Sequence, residues 1–315
     1  MEILVYGAGA IGSVFGGFLS REHNVTLLGR PWHLQEVRRL GLQISGIWGT
    51  HTFSKFELST EAKPLRSRKP RYDLILCTVM ANDTPAAAKE IKRIAKDHAL
   101  VLSLQNGYGN IEALSAELPI GQVLAGRVIF GAELTPGVAT VTVSADDVLV
   151  GEAGKTKKLD RADGIAQAFT QCGIKTKAVP DIHRHLWAKL IYNCALNGPA
   201  TLLDIPYGKL LLTEETKALM KAIVEEIYAV AKKRKIALEP ATPQGYLQRL
   251  FKKLIPVTSA HYPSMLHRIR HGRRTEIAHL NGAIVALGKK HRVPTPINAL
   301  VADLVQAKER LNLRE

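Results

Sequence analysis

A lysine and two asparagines share one face of a predicted helix in residues 185–197. Lys189, Asn193 and Asn197 are four residues apart, so their side chains drift by only about 40° per step around a helix of 3.6 residues per turn. Ammonium and amide groups on an otherwise apolar helix are costly to bury without partners. A bound oxygen-rich anion would supply those partners, whereas the alternative interpretation is a polar stripe that faces water. Trp187 and the helix stop predicted at Gly198-Pro199 favour a helix packed in a domain interface, and both interpretations stay open.

A serine and a glutamate further along the chain are the other residues that could hold a small polar ligand. Taken alone, Ser264 predicts a helix cap, and Glu276 predicts a surface ion pair with Arg273 or Lys289. Glu276 is also predicted to lie within a helix, because an apolar face follows it at helical spacing. Neither residue by itself indicates a binding site.

A glycine turn at the start of the chain is the element that would bring a reactant to these groups. An apolar run at residues 3–6 predicts a strand, and G-x-G-x-x-G follows it and leads into a predicted helix. Gly7 permits the tight turn, Gly9 lets backbone approach a pyrophosphate, and Gly12 allows close packing of helix and strand. The helix start also offers N–H groups and a positive dipole end to phosphates. A dinucleotide site is therefore predicted at Gly7, Ala8, Gly9, Ala10, Ile11 and Gly12.

The end of the second predicted strand bears on which dinucleotide binds. An NAD-specific fold has an acidic residue there to bind the ribose 2′-hydroxyl, and this chain has Arg30. A guanidinium suits a 2′-phosphate through its charge and its forked donors. The sequence therefore favours NADP over the alternative of an ordinary surface arginine.

The elements around these residues predict two domains. Continuous apolar runs at 73–79 and 99–104 are typical of strands buried on both faces of a parallel sheet. Alternating β-branched residues between 123 and 151 predict antiparallel strands attached to that sheet. The predicted fold is α/β, with a Rossmann-type doubly wound sheet over residues 1–180 and an all-helical domain over residues 181–315. Further predictions are a loop at 61–71, a helix at 156–171, and helices at 181–197, 213–235, 241–255, 261–287 and 296–312.

Asn106 directly follows the predicted strand at 99–104. Ligands of a doubly wound sheet sit at the carboxyl ends of its strands, so Asn106 is placed to touch a cofactor or substrate. Capping of a helix that starts near Asn110 is an equally good interpretation of its position.

Composition narrows the class of protein. The 315 residues carry a formal net charge of +15, but the basic residues are dispersed and match no nucleic-acid motif, so we expect attraction for anions and no nucleic-acid partner. Three cysteines outside any C-x-x-C indicate neither a disulfide framework nor a metal site. No apolar stretch has the roughly 20 residues of a membrane span. With no leader pattern, the expected compartment is the cytoplasm.

Six motifs in order resemble the ketopantoate reductase (2-dehydropantoate 2-reductase) family from end to end. They are G-A-G-A-I-G at 7–12, Arg30, Q-N-G at 105–107, G-A-E-L-T-P-G at 131–137, W-A-K-L-x-x-N-x-x-x-N at 187–197, and S-M-L…T-E-I-x-x-x-N-G from 264 to 282. The resemblance implies reduction of 2-dehydropantoate to pantoate by NADPH, a step towards pantothenate and coenzyme A, in a cleft between the two domains.

The resemblance also implies roles for particular residues. Lys189 would be the general acid that protonates the substrate carbonyl oxygen, and Glu276 would hydrogen-bond the same oxygen and position Lys189. Asn193, Asn197 and Ser264 would bind substrate hydroxyl and carboxylate groups. Asn106 would contact cofactor and substrate, and Glu276 is grouped with the cofactor site as well.

Two departures from the family pattern leave alternatives open. Met80 stands where the family usually has a lysine that helps with the cofactor phosphate, so NAD stays open as the cofactor. Tyr207 stands where many members have an asparagine that shapes the substrate pocket, so another branched 2-oxo acid stays open as the substrate. A non-catalytic NADP-binding sensor is the alternative of another class, and a homodimer is also open.

Overall fold

The computed structural model describes residues 1–67, 72–95, 97–154 and 159–313. Contacts within the chain divide it into two compact units. One comprises Met1–Gln105 and Asn110–Ile182, and the other comprises Asn106–Gly109 and His183–Glu315. We call them the sheet unit and the helical unit. The assignment of Asn106–Gly109 to the helical unit is a feature that the sequence did not predict.

The sheet unit contains the β-strands of the described chain. They are β1 Glu2–Tyr6, β2 Asn24–Leu28, β3 Leu42–Gly46, β4 His51–Phe53, β5 Phe56–Ser59, β6 Leu74–Cys77, β7 Leu100–Ser103, β8 Val123–Arg127, β9 Phe130–Thr135, β10 Val138–Ser144, β11 Val148–Glu152 and β12 Thr176–Ala178.

The larger sheet has the order β12-β11-β8-β7-β6-β1-β2-β5. The six strands from β8 to β5 are parallel, and β11 joins antiparallel to β8. Numbered along the chain, those six strands follow the doubly wound order 3-2-1-4-5-6, whose switch point lies between β1 and β6. The predicted Rossmann-type sheet is confirmed.

The smaller sheet has the order β4-β3-β10-β9. The sequence placed all the strands between residues 123 and 151 on the parallel sheet, and this was wrong for β9 and β10. β9 and β10 form an antiparallel hairpin, and β10 also pairs in parallel with β3, so these strands and β4 form a separate sheet. The alternation of β-branched residues indicates strands but does not specify the partner strand.

The helices of the sheet unit are α1 Ala10–Leu19, α2 Pro31–Leu40, α3 Lys63–Ser67, α4 Thr84–Ile94, α5 Asn110–Ser115 and α6 Asp160–Gln171, with short 3₁₀ turns at Ala81–Asp83 and Ile120–Gln122. The loop predicted over 61–71 contains α3, and residues 68–71 lie outside the described residues. The helix predicted over 156–171 is seen as α6, and residues 155–158 also lie outside them.

Side chains on successive residues of the central strands enter different cores. Ile3 and Val5 of β1 pack with α1, while Leu4 packs in the cluster that contains Ile91 of α4. All three side chains are fully buried. A continuous apolar run is therefore required in these strands, because both faces of the sheet are covered.

The helical unit is built from α7 Ile182–Leu203, α8 Glu214–Lys233, α9 Pro243–Arg249, α10 Ile255–Val257, α11 Ser264–Arg270, α12 Asn281–His291 and α13 Pro296–Asn312, with 3₁₀ turns at Tyr207–Leu211 and Ile277–His279 and a π-helical stretch at Leu250–Leu254. Its apolar core joins α7 to α8, α12 and α13 through residues such as Cys194, Ile223 and Val301. None of the helices in the described ranges combines the length and apolar character needed to cross a bilayer.

Helix α7 does not end where the sequence predicted. It continues through Gly198 and Pro199 to Leu203. A proline inside a helix costs about 3 kcal/mol, because one hydrogen bond is lost and the preceding turn is crowded. Burial of this turn offsets that cost: Leu196 and Ala200 are fully buried. Gly198 allows the close contact, since a Cβ there would lie 2.4 Å from Cγ1 of Val301.

Candidate active site

The glycine turn links the end of β1 to the start of α1 at the switch point of the sheet. Its backbone is fixed to the neighbouring strand, because Gly7 and Ala8 both donate to the Leu28 carbonyl, at 3.1 and 2.7 Å. Gly7 has φ +113°, a conformation that glycine adopts without strain. A Cβ on Gly12 would lie 2.3 Å from the Gly7 carbonyl oxygen, so this position requires glycine for packing.

Gly9 differs from the other two glycines of the turn. Apart from its own neighbours in the chain and helix, the nearest described atom to a Cβ on Gly9 would be the Gly7 carbonyl oxygen, at 3.9 Å. No side chain in the described part of the chain caps α1, and the first N–H groups of a helix lack intrahelical acceptors. Open space above Gly9 and free N–H groups beside it are what a pyrophosphate needs, so the turn fits a dinucleotide.

Two alanine substitutions distinguish the role of Gly9 in pyrophosphate binding from the role of Gly12 in packing. Gly9→Ala is expected to leave the melting temperature unchanged and to weaken NADPH binding by about tenfold, because a methyl group there occupies the space for the pyrophosphate. Gly12→Ala is expected to lower stability by several kcal/mol, because its Cβ meets backbone. Thermal unfolding and a fluorescence titration with NADPH check both variants. Undiminished NADPH binding by Gly9→Ala would contradict the assignment.

Arg30 lies close to this turn. It immediately precedes α2 and is exposed. Its neighbour Gly29 packs on the turn, since a Cβ on Gly29 would lie 2.8 Å from Cβ of Ala8. The sheet unit therefore brings Arg30 beside the predicted dinucleotide site. Met80, the residue in place of the family lysine, precedes the 3₁₀ turn after β6.

Lys189 and Asn106 meet within the helical unit. The Lys189 ammonium donates to Oδ1 of Asn106 at 2.5 Å. Lys189 is half-buried on α7 and Asn106 is exposed. A hydrogen bond from a charged donor is stronger than one between neutral groups, so this bond orients the amine. Helix α5 starts at Asn110, whereas Asn106 itself belongs to the helical unit.

The two asparagines of α7 are buried but have different surroundings. Asn193 is 9% exposed, and no hydrogen bond to its side chain is found within the described ranges. Asn197 is 8% exposed, and its Oδ1 accepts from the Tyr207 hydroxyl. The Asn193 amide is therefore available to a ligand, since its atoms are not among the described polar atoms that are both unpaired and closed off from solvent.

Tyr207, which stands where many family members have an asparagine, has a buried phenol side chain. Its ring stands edge-on to Tyr192 at 6.0 Å and lies 5.4 Å from the ring of His261. Burial, followed by the neighbouring Tyr192, raises the pKa of Tyr207 well above its usual value. The phenol therefore stays protonated and donates to Asn197.

Ser264 and Glu276 lie at the starts of two short helical elements. Ser264 is the exposed first residue of α11, and Pro263, not Ser264, holds the capping position. Glu276 is half-buried and precedes the 3₁₀ turn Ile277–His279, so the prediction that it lies within a helix was wrong. The apolar spacing after Glu276 arises from two separate elements, since α12 starts only at Asn281.

A cluster around Tyr108 is a feature of the helical unit that the sequence did not predict. Tyr108, Trp187, Arg234 and His279 are joined by ring contacts and hydrogen bonds in the helical unit. Tyr108 stands next to the Q-N-G motif, which is a usable signal. Nothing in the sequence around Arg234 or His279 indicates that they meet it.

The fold and these side chains define a class of protein. A doubly wound sheet with a phosphate-binding turn occurs in dinucleotide-dependent oxidoreductases, and an ammonium held by an amide is suited to protonating a carbonyl oxygen. Fold and site therefore indicate a dehydrogenase or reductase.

Comparison with known proteins specifies the family. Residues 3–155 match the family described as ketopantoate reductase PanE/ApbA, and residues 181–309 match its C-terminal domain. A 2-dehydropantoate 2-reductase of Aquifex aeolicus is 36% identical and covers 100% of this chain and 99% of its own length. The chain belongs to the ketopantoate reductase PanE/ApbA family, and the resemblance seen in the sequence is confirmed.

Two solved structures are similar to this chain over its whole length. The PanE/ApbA family ketopantoate reductase of Ralstonia eutropha is 30% identical, with a TM-score of 0.87 and coverage of 99% of both chains. D-mandelate dehydrogenase, in a structure with NADH and anilino(oxo)acetate, is 28% identical, with a TM-score of 0.88 and full coverage of both chains.

Proposed function

We propose that the protein reduces 2-dehydropantoate to pantoate with NADPH, a step towards pantothenate and coenzyme A. The Lys189–Asn106 hydrogen bond is the observation that carries this proposal, because it holds an ammonium on the helix that also presents Asn193. Membership of the ketopantoate reductase family and relatives named 2-dehydropantoate 2-reductase support the choice of substrate.

The chemistry follows from the charge that develops on the substrate. The reduced nicotinamide, when bound, supplies a hydride to C2 of the 2-oxo acid. Negative charge then builds on the carbonyl oxygen, and Lys189 donates a proton to it. Asn106 keeps the ammonium in place, while the Asn193 amide offers donors to the carboxylate or hydroxyl of the substrate. Glu276 and Ser264 are assigned their roles by family resemblance.

Arg30 supports NADPH as the cofactor. Its guanidinium stands next to a residue packed on the glycine turn, where it would meet a 2′-phosphate. The likeness to D-mandelate dehydrogenase, whose structure contains NADH, and the replacement of a lysine by Met80 favour a test with both cofactors.

A panel of 2-oxo acids tests the proposal. Oxidation of NADPH and of NADH is followed at 340 nm with ketopantoate, other branched 2-oxo acids and an aryl 2-oxo acid. We expect the highest kcat/KM for ketopantoate with NADPH. No oxidation with any 2-oxo acid, combined with tight NADPH binding, would favour a non-catalytic NADP-binding sensor instead.

Another branched 2-oxo acid is the second candidate substrate, and Tyr207 is the observation that favours it. The buried phenol stands beside Tyr192, which gives the surroundings of Asn197 an aromatic and partly apolar character. Preference for a substrate without a hydroxyl group in the panel would establish this alternative.

Removal of the Tyr207 hydroxyl has a defined expected effect. In Tyr207→Phe, the Asn197 amide loses the donor that fixes it, so we expect kcat/KM to fall by about tenfold, the equivalent of one hydrogen bond to a buried amide. Tyr192→Phe is the matched control, since its hydroxyl pairs with Thr258 at 2.7 Å. Equal effects of the two substitutions would contradict a role for Tyr207 in holding Asn197.

The proposed compartment and partners follow from less specific observations. Cys77, Cys172 and Cys194 are free and buried and form no disulfide, which suits the proposed reducing cytoplasm. The proposed ligand is a small 2-oxo acid. A homodimer stays a prediction that solution scattering would test.

A further inference from the structure

The segment Asn106–Gly109 follows the sheet strand β7 yet belongs to the helical unit. The residues on either side of Tyr108 both have a backbone conformation that favours glycine, with φ +84° at Gly107 and φ +103° at Gly109. The segment therefore has an unusual path, and its contacts in the helical unit must hold it there.

His279 holds the backbone of this segment. The Tyr108 N–H donates to the His279 carbonyl at 2.8 Å, and Nδ1 of His279 lies 3.1 Å from the Tyr108 carbonyl oxygen. The second bond requires a proton on Nδ1. Gly107 packs directly on the same residue, since a Cβ there would lie 2.8 Å from the His279 carbonyl oxygen.

Arg234 holds the side chain of Tyr108. The guanidinium donates to the Tyr108 hydroxyl at 2.8 Å and lies over two rings, 5.2 Å from the centre of Tyr108 and 5.5 Å from that of Trp187. These rings are themselves edge to face at 6.0 Å. Trp187 is only 3% exposed, so it gives the cation a fixed surface on which to stack.

Three of the four residues of this cluster lie two or three positions along the chain from a candidate residue of the reaction. Tyr108 lies two residues after Asn106, Trp187 two residues before Lys189, and His279 three residues after Glu276. Arg234 and Tyr108 thus tie together the chain segments that carry all three groups. Asn106, which accepts the hydrogen bond from Lys189, lies in the first of these segments, is exposed and is followed by Gly107.

We propose that Arg234, Tyr108 and His279 form a clamp that positions Asn106 on Lys189 for proton transfer. They are positioning residues and do not touch the substrate. The inference rests on the proposed function for its assay. A displacement of about 1 Å at a catalytic group can cost a hundredfold in rate, so loosening of the clamp is expected to lower kcat more than substrate affinity.

The test is a double-mutant cycle on the full-length protein, assayed with whichever 2-oxo acid the wild type reduces. Arg234→Met is expected to lower kcat by about tenfold and to change the Kd for NADPH by less than about twofold. Combined with Asn106→Ala, it should cause no further loss, because both changes remove the same interaction. Arg234→Lys keeps a cation over the rings and should recover part of kcat.

Arg270→Met is the matched control, since Arg270 pairs with Asp204 and lies 5.6 Å from the ring of Tyr262 in the same unit. It should leave kcat unchanged. If Arg234→Met does not fold, Tyr108→Phe removes only the hydroxyl and is expected to lower kcat several-fold. Full kcat in the folded variant, or losses that multiply with Asn106→Ala, would overturn the clamp. Wild-type protein that reduces no 2-oxo acid would instead overturn the proposed function, and NMR contacts between Tyr108 and Arg234 would then test the clamp alone.

Discussion

Replacement of Lys189 by alanine is expected to lower kcat by about a thousandfold, within the range that general acid catalysis contributes. In the proposed mechanism this ammonium, which donates to Asn106 at 2.5 Å, is the proton donor, and alanine leaves the developing oxyanion without it. Binding of NADPH should change little, because the glycine turn and Arg30 belong to the sheet unit. Steady-state kinetics and a fluorescence titration with NADPH measure the two quantities separately.

Lys189→Arg distinguishes proton donation to the substrate from electrostatic attraction of the substrate by a positive charge. A guanidinium keeps the positive charge but does not release its proton at neutral pH, so this variant should be almost as slow as Lys189→Ala. Lys221→Ala removes an exposed ammonium from α8 and serves as the control for loss of charge. Undiminished kcat in Lys189→Ala would end the assignment of Lys189 as the general acid.

Reversal of charge at Arg30 is expected to weaken NADPH binding by about a hundredfold and NADH binding by much less. A hydrogen bond from a charged group contributes about 1.5–3 kcal/mol, and glutamate adds repulsion of the 2′-phosphate. The difference between the two cofactors is the informative quantity, because NADH lacks that phosphate. Dissociation constants for both cofactors, measured on Arg30→Glu, provide the test.

Arg38→Glu controls for the general field of a chain with net charge +15. Arg38 is exposed near the C-terminal end of α2, the helix that Arg30 precedes, and the substitution changes the net charge by the same amount. It should alter NADPH and NADH affinity only slightly. Equal losses for the two cofactors in Arg30→Glu would contradict recognition of the 2′-phosphate.

The sheet could be predicted from sequence because its central strands and its glycine turn each accept only a few residue types. A strand covered on both faces needs a continuous apolar run, and β1 and β6 have one. The smaller sheet could not be predicted correctly. Alternation in β9 and β10 indicates one covered face, whereas pairing with β3 depends on residues almost 100 positions away.

The end of α7 shows the limit of local signals. Gly198-Pro199 predicts a stop from backbone preferences, yet burial against Val301 keeps the helix intact. At Glu276 the error was the reverse, since the sequence predicted a helix where there is none. The 3₁₀ turn after Glu276 and the start of α12 together give the apolar spacing of one continuous helix.

The candidate site was predictable where its residues lie four apart on one helix. Spacing placed Lys189, Asn193 and Asn197 on one face, and their burial agrees with a packed helix. The contact of Asn106 with Lys189 could not be derived from spacing, since 83 residues separate them. Likewise, the bond from Tyr207 to Asn197 depends on the 3₁₀ turn that follows α7.

Deuterium transfer tests the central claim most directly. NADPH deuterated at the reactive C4 hydrogen is incubated with ketopantoate and the wild-type protein, and the product is analysed by mass spectrometry and NMR. Pantoate with one deuterium at C2, formed in equal amount to NADP⁺, is the expected result. Oxidation of NADPH without deuterium in pantoate, or no product in the presence of bound cofactor, would contradict hydride transfer to a 2-oxo acid.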